Sequence, residues 1–124
     1  MIASPSAICS VLVVEDDDRV RNMLCEHARN RGCVTWEASD GLEALWIVKH
    51  QRPGLVLLDL RMPRVDGFET LRHIRKFDPS IRVVIVTGDV SDETRQRVES
   101  LGLELLVKPV TLDALDAVLV DRRN

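Results

Sequence analysis

The chain has 124 residues, of which 45% are hydrophobic and 30% charged, with a formal charge of −3. That is one ordinary globular domain with room for a single core, placed at residues 8–121 between a short extension (1–7) and a tail (122–124). The acidic balance argues against a broad basic nucleic-acid surface, and two Trp, two Phe and no Tyr are too few for a base-stacking platform.

Residues 8–14 (ICSVLVV) form an apolar, β-branched run of strand length, ending in Glu15, Asp16, Asp17 and Asp18. A helical pattern follows on Val20, Met23, Leu24 and Ala28, with Gly32 as its stop. Asp17 and Asp18 read as cap and first-turn acids of that helix. Residues 33–37 are a shorter and more polar strand, nearer a sheet edge. Asp40 and Glu43 have the spacing of a capping box and open a helix to about His50, with Leu42, Leu45 and Val48 inward. Pro53-Gly54 breaks the chain before residues 55–58 (LVLL), a strand buried on both faces that runs out at Asp59.

Beyond Pro63, Asp66 caps a helix to about Lys76 with Phe68, Leu71 and Ile74 inward. Residues 81–86 (IRVVIV) are a strand left through Thr87-Gly88-Asp89. Ser91 caps a polar helix whose weak apolar stripe is Val98 and Leu101, closed by Gly102. Residues 105–107 are a short strand ending at Lys108-Pro109, and Thr111 caps a last helix with Leu112, Leu115, Val118 and Leu119 on one face. Five strands alternating with five helices require a parallel sheet with helices on both faces, a doubly wound α/β domain. Trp36 and Trp46 are expected to be packing residues, and His27, His50 and His73 to be solvated. Cys9, Cys25 and Cys33 lack metal-ligand spacing and are expected to be reduced thiols. No run reaches the ~18 apolar residues of a membrane span, and residues 1–7 do not have the make-up of a signal peptide. The expected location is cytoplasmic.

In such a sheet the carboxyl ends of the strands share one rim, where ligands bind. The first strand delivers Glu15 and Asp16, the third Asp59, the fourth Thr87 and the fifth Lys108. Two like charges about 4 Å apart repel by roughly 4 kcal/mol at an effective dielectric near 20. A cluster of acids therefore takes up protons or holds a cation. Oxygen ligands without His or Cys select a hard ion, usually Mg²⁺, with open positions for phosphate oxygens. Lys108 and the Thr87 hydroxyl supply a charge and a donor, completing a site for a phosphoryl group. A haloacid-dehalogenase-type phosphatase needs a D-x-D pair after its first strand, and Asp59-Leu60-Arg61 lacks the second acid. A flavodoxin needs a Ser/Thr/Gly-rich phosphate loop where this chain has acids.

The acids after VLVV, the LLDLRMPRVDG stretch, the VVIVTGD strand and the LLVKP ending together resemble a response regulator receiver domain of two-component signalling. The resemblance runs from about residue 8 to 120. It implies a flavodoxin-like fold with strand order 2-1-3-4-5. It implies Asp59 as phospho-acceptor from a sensor-kinase phosphohistidine. Mg²⁺, with Mn²⁺ as a substitute, would be held by Asp16, Asp59 and the Arg61 backbone carbonyl, with Glu15 acting partly through water. Thr87 and Lys108 would bind the phosphoryl oxygens. Such a domain catalyses its own phosphorylation and dephosphorylation but serves mainly as a switch.

The resemblance also implies a sensor histidine kinase or histidine phosphotransfer protein as partner, and an output domain or hybrid kinase in a longer protein. No direct nucleic-acid or membrane contact is expected, and a monomer or weak dimer is expected. The alternative is a pseudo-receiver, a docking module of the same fold that is not phosphorylated. Leu105 stands where the family commonly has Tyr or Phe, which puts the usual aromatic switch in doubt. In the family the positions of Arg61 and Asp89 flank the path of the hydrolytic water, and the two are expected to pair across the phosphoryl group and slow its loss. The Lys108-Pro109 bond is expected to be cis.

Overall fold

A computed structural model describes residues 9–62 and 65–120 of the chain. Ile8, Pro63, the Arg122-Arg123 pair and both proposed domain limits lie outside the described residues.

The order of elements is β1 (Ser10–Val14), α1 (Asp18–Asn30), β2 (Val34–Ala38), α2 (Gly41–Gln51), β3 (Leu55–Asp59), α3 (Gly67–Phe77), β4 (Arg82–Thr87), α4 (Asp92–Ser100), β5 (Glu104–Val107) and α5 (Leu112–Leu119). Each helix begins on the residue type that satisfies free N–H groups in its first turn. Asp17, Asp40, Asp66, Ser91 and Thr111 are the N-caps, each accepting from a backbone N–H two or three residues on. Glu43 closes its box one residue further back than expected, accepting from the N–H of Ser39. Gly32 ends α1 in the left-handed region at φ 86°, open to glycine without strain.

All five strands are parallel, in the order β2-β1-β3-β4-β5. The central strand β3 is buried along its whole length, whereas the edge strand β2 is largely half-exposed. The two layers of the core follow the strand alternation. On one face Leu12, Val56, Leu58 and Ile85 meet Ala44, Ile47, Val48, Leu71, Ile74 and Val98 from α2, α3 and α4. On the other, Val11, Val13, Leu57 and Val84 meet Leu24, Cys25, Ala28, Leu115 and Val118 from α1 and α5. Trp36 packs against the first layer, while Cys9 and Cys33 join the second.

Several side chains sit differently from expectation. Helix α2 is apolar on most of its circumference, so periodicity alone does not fix its rotation. Its inward residues are Gly41, Ala44, Ile47 and Val48, which leaves Leu42 and Trp46 exposed. Trp46 is 58% exposed and stacks on the His50 ring one turn later, with centroids 4.0 Å apart. Leu101 and Leu112, at helix ends rather than on inward faces, are also half-exposed. His27 is not solvated: it lies between α1 and α5 with Nε2 2.6 Å from Asp116, which also takes two bonds from Arg31. His50 and His73 are exposed as expected. The cysteines are free thiols, and burial pushes Cys25 up to about 11. Among the described residues no helix is long and apolar enough to cross a membrane.

Candidate functional site

Strand register decides which side chains reach the rim. Val14 lies opposite Leu58 and Ala38, so β1 and β3 run out side by side and release Glu15 and Asp59 together. The Glu15 N–H still bonds the Ala38 carbonyl at 3.0 Å, which holds Glu15 to the end of the ladder. Across the sheet Thr87 pairs with Val107, and the Lys108 N–H donates to the Thr87 carbonyl at 2.9 Å. The Lys108-Pro109 bond is cis.

Glu15, Asp59 and Thr87 are buried, and Asp16 is exposed at the mouth of the site. Carboxylate oxygens of Glu15, Asp16 and Asp59 lie within 4.8 Å of one another. The Lys108 ammonium reaches into this group, 2.8 Å from Glu15 Oε1 and 3.4 Å from Asp59 Oδ2. At 2.8 Å the Glu15 contact is an ion pair, and the buried Oε1 has no further hydrogen-bond donor among the described residues. Burial pushes the Glu15 carboxyl up to about 7, and the Asp59 charge adds to this; Lys108 and the Asp17 N–H pull it back. Burial works against the Lys108 ammonium as well, but its contacts with Glu15 and Asp59 outweigh it and raise its pKa. Glu15 and Lys108 therefore each offset part of the other's burial.

This donor set fits a small hard cation. It offers oxygens only, two of the three carboxylates are buried, and one buried oxygen has an unused lone pair. Asp17 and Asp18 stay outside it, as cap and first-turn acid of α1. Arg61 follows Asp59 at the surface, its N–H donating to Asp59 Oδ1 at 3.1 Å. Its guanidinium lies 3.6 Å from Asp89 Oδ2, so the two side chains pair.

Three positioning features are not legible from the strand ends. Arg21 donates to the Glu15 carbonyl at 2.9 Å and pairs with Asp18 and Glu37, bracing the acidic loop. Asp18 and Arg21, three apart on a helix, give half of this signal; the rest comes from Glu37 on another strand. Gly67 lets α3 start against β3. A Cβ there would meet the Leu60 Cα at 2.5 Å and the Asp59 carbonyl oxygen at 2.7 Å. Asp89 ties the fourth strand end to α4. Its N–H donates to Thr87 Oγ1 at 3.0 Å, while its carboxylate accepts from the Ser91 N–H and from the Thr94 hydroxyl at 2.7 Å. Those bonds, with Arg61 nearby, hold the Asp89 carboxyl down to about 2.

With this geometry in hand, residues 11–120 match the family described as the response regulator receiver domain. The sporulation initiation phosphotransferase F of Bacillus subtilis is 39% identical over 110 residues, covering 87% of this chain and 89% of that protein. Among solved structures, the chemotaxis protein CheY4 of Vibrio cholerae superposes with a TM-score of 0.84 at 28% identity, over 91% of this chain and 97% of the other. The receiver domain of the sensor histidine kinase PA1611 of Pseudomonas aeruginosa, solved with a magnesium ion in its active-site cleft, has a TM-score of 0.81 at 25% identity, over 91% and 95% of the two chains. Several other relatives are much longer, and the chain spans half or less of their length.

Proposed function

The chain belongs to the response regulator receiver domain family, and from that premise we propose that Asp59 accepts a phosphoryl group from a phosphohistidine and that the surface of the domain responds. The single observation that carries this reading is the convergence of Glu15, Asp16 and Asp59 within 4.8 Å, with Lys108 seated against the two buried acids. A carboxylate oxygen of Asp59 attacks phosphorus; the new O–P bond forms as the P–N bond breaks, and the electron pair stays on the imidazole nitrogen. Lys108 leaves its ion pairs to meet the incoming phosphoryl oxygens, and the Thr87 hydroxyl turns to donate to them. Hydrolysis later breaks the acyl phosphate and restores the carboxylate.

Glu15, Asp16, Asp59 and the Arg61 carbonyl would hold Mg²⁺. Bound there, the ion offsets the negative charge that the carboxylates and the phosphoryl oxygens bring together. Because phosphoryl transfer has a loose transition state, positioning and electrostatics carry most of the rate. The protein's part is to keep the nucleophile dry, oriented and next to a fixed cation.

The readout follows from Asp89. When Thr87 turns toward the phosphoryl group, the N–H that Asp89 places on its hydroxyl must move, and the α4 cap moves with it. Leu105 is half-buried against the α2–α4 layer and replaces an aromatic rotation by a smaller repacking. The partner is a sensor histidine kinase or histidine phosphotransfer protein, and the setting is cytoplasmic. The test is incubation with acetyl phosphate and Mg²⁺ followed by intact mass. One phosphoryl adduct that needs Mg²⁺ and is lost in Asp59→Asn is the expected result. A folded protein that takes no adduct would instead be a docking module.

A further inference from the structure

Helices α3 and α4 leave between them a groove of about 440 Å³ that shares no residue with the acidic rim. This lies within the ~300–1,000 Å³ range of clefts that take ligands. Its apolar lining is Phe68, Leu71, Leu101 and Leu103. Leu101 is 50% exposed there, so apolar surface is left facing water. The charged residues of the lining are all arginines: Arg72, Arg75 and Arg97. In a chain of net charge −3, this is a local reversal of sign.

Among the described residues, one of those guanidiniums faces a carboxylate. Arg72 has Glu69 at 3.5 Å on its own helix. Arg75 donates one nitrogen to the carbonyls of Pro79 and Ile81, each at 3.3 Å. Arg97 lies over the Phe68 ring, its guanidinium carbon 3.8 Å from the centroid. Among the described residues, neither Arg75 nor Arg97 has a carboxylate within 4.0 Å. A groove with an aliphatic floor and unpaired arginines at its edge is complementary to a helix carrying apolar anchors flanked by acids.

We propose that the α3–α4 groove docks an acidic amphipathic peptide segment of a partner protein, with its apolar side chains against Phe68, Leu71 and Leu103 and its carboxylates on Arg75 and Arg97. Nucleic acid fits less well. Among the described lining residues Phe68 is the one aromatic ring and has one face already covered by Arg97, and leucine walls offer bases nothing to stack on. Burying Leu101 and Leu103 rewards an apolar side chain, and each guanidinium gains a charge-assisted bond. The docking needs no phosphoryl group on Asp59, so it is tested on the unmodified chain.

The probe is a short acetylated, amidated peptide of leucine and glutamate, with leucines at i, i+3, i+4 and i+7, titrated into the isotope-labelled chain and followed by NMR. Backbone signals of Phe68, Arg97, Leu101 and Leu103 should shift together, and binding should weaken as salt is raised. Arg97→Glu should weaken it about tenfold or more, since a like charge then faces the acids. Leu101→Glu should do the same, and at a half-exposed position it leaves the fold intact, as its NMR spectrum will verify. The same peptide with lysine for glutamate should not bind. The proposal is overturned if no signals shift, if the shifts fall outside the groove, or if the lysine peptide binds equally. It also fails if both variants bind normally, or if a single-stranded oligonucleotide binds these residues more tightly than the peptide.

Discussion

The two ends of the acidic rim are held in different ways. At the β1–β3 end, Glu15 and Asp59 are buried, the Glu15 backbone is fixed by Ala38 and Arg21, and α3 starts in backbone contact with β3 through Gly67. At the β4–α4 end, a polar helix of nine residues buries one side chain, Val98, and is anchored through the carboxylate of Asp89. The contrast teaches a division of labour. The Asp59 side cannot yield without breaking packing, whereas the α4 side can move at the cost of a few hydrogen bonds. Segments with little buried apolar surface are the ones that open first.

The rigid end breaks most expensively. Gly67→Ala drives a methyl group into backbone atoms of Leu60 and Asp59 and should cost about 2–4 kcal/mol in urea unfolding, a loss of the kind overpacking produces. A cost below ~1 kcal/mol would mean that α3 retreats freely and that the end is not rigid. Val98→Ala removes the buried anchor of α4 and should cost about 1–2.5 kcal/mol. Hydrogen exchange should then show α4 opening well before β3. Equal acceleration in both would erase the comparison.

Smaller changes sharpen it. The Asp89 carboxyl is held at about 2 by the Ser91 N–H and the Thr94 hydroxyl, below its ordinary 3.8. A lowered folded-state pKa gives stability that is complete above 3.8 and is lost as pH falls through about 2. Protection of the first-turn amides of α4, measured against their intrinsic exchange rates, should therefore fall at acid pH in the parent, and Asp89→Asn should flatten that dependence. Arg61→Ala should shorten the life of the aspartyl phosphate several-fold by removing the partner of Asp89 across the site. An unchanged or longer life would confine Arg61 to the surface.

Much of the site was legible because parallel α/β topology converts positions along the chain into one place. Glu15, Asp16, Asp59, Thr87 and Lys108 each follow an apolar run, and any sheet built from those runs brings them to its carboxyl rim. The caps Asp17, Asp66, Ser91 and Thr111 were legible for a local reason, since each partner lies two or three residues on. What resisted reading depends on partners far along the chain. His27 looks solvated on its own helix and meets Asp116 from α5. Arg82 in β4 grips Glu104 in β5 and the Val118 carbonyl of α5, a clamp no local pattern announces. Trp46 was misplaced because α2 is apolar on most of its circumference, and the side it buries is the one where Gly41 lies close to Thr70 and Val65.

The sheet also sorts the chain's spectroscopic and chemical labels. All three thiols belong to the layer of α1 and α5, with Cys25 and Cys33 buried in it, while Trp36 packs into the opposite layer and Trp46 rides on α2 above it. Alkylation of Cys25 and Cys33 therefore clocks the opening of one face of the sheet, and the emission of Trp36 watches the other. With no probe attached, the two signals can tell whether the halves of this sandwich come apart together or in turn.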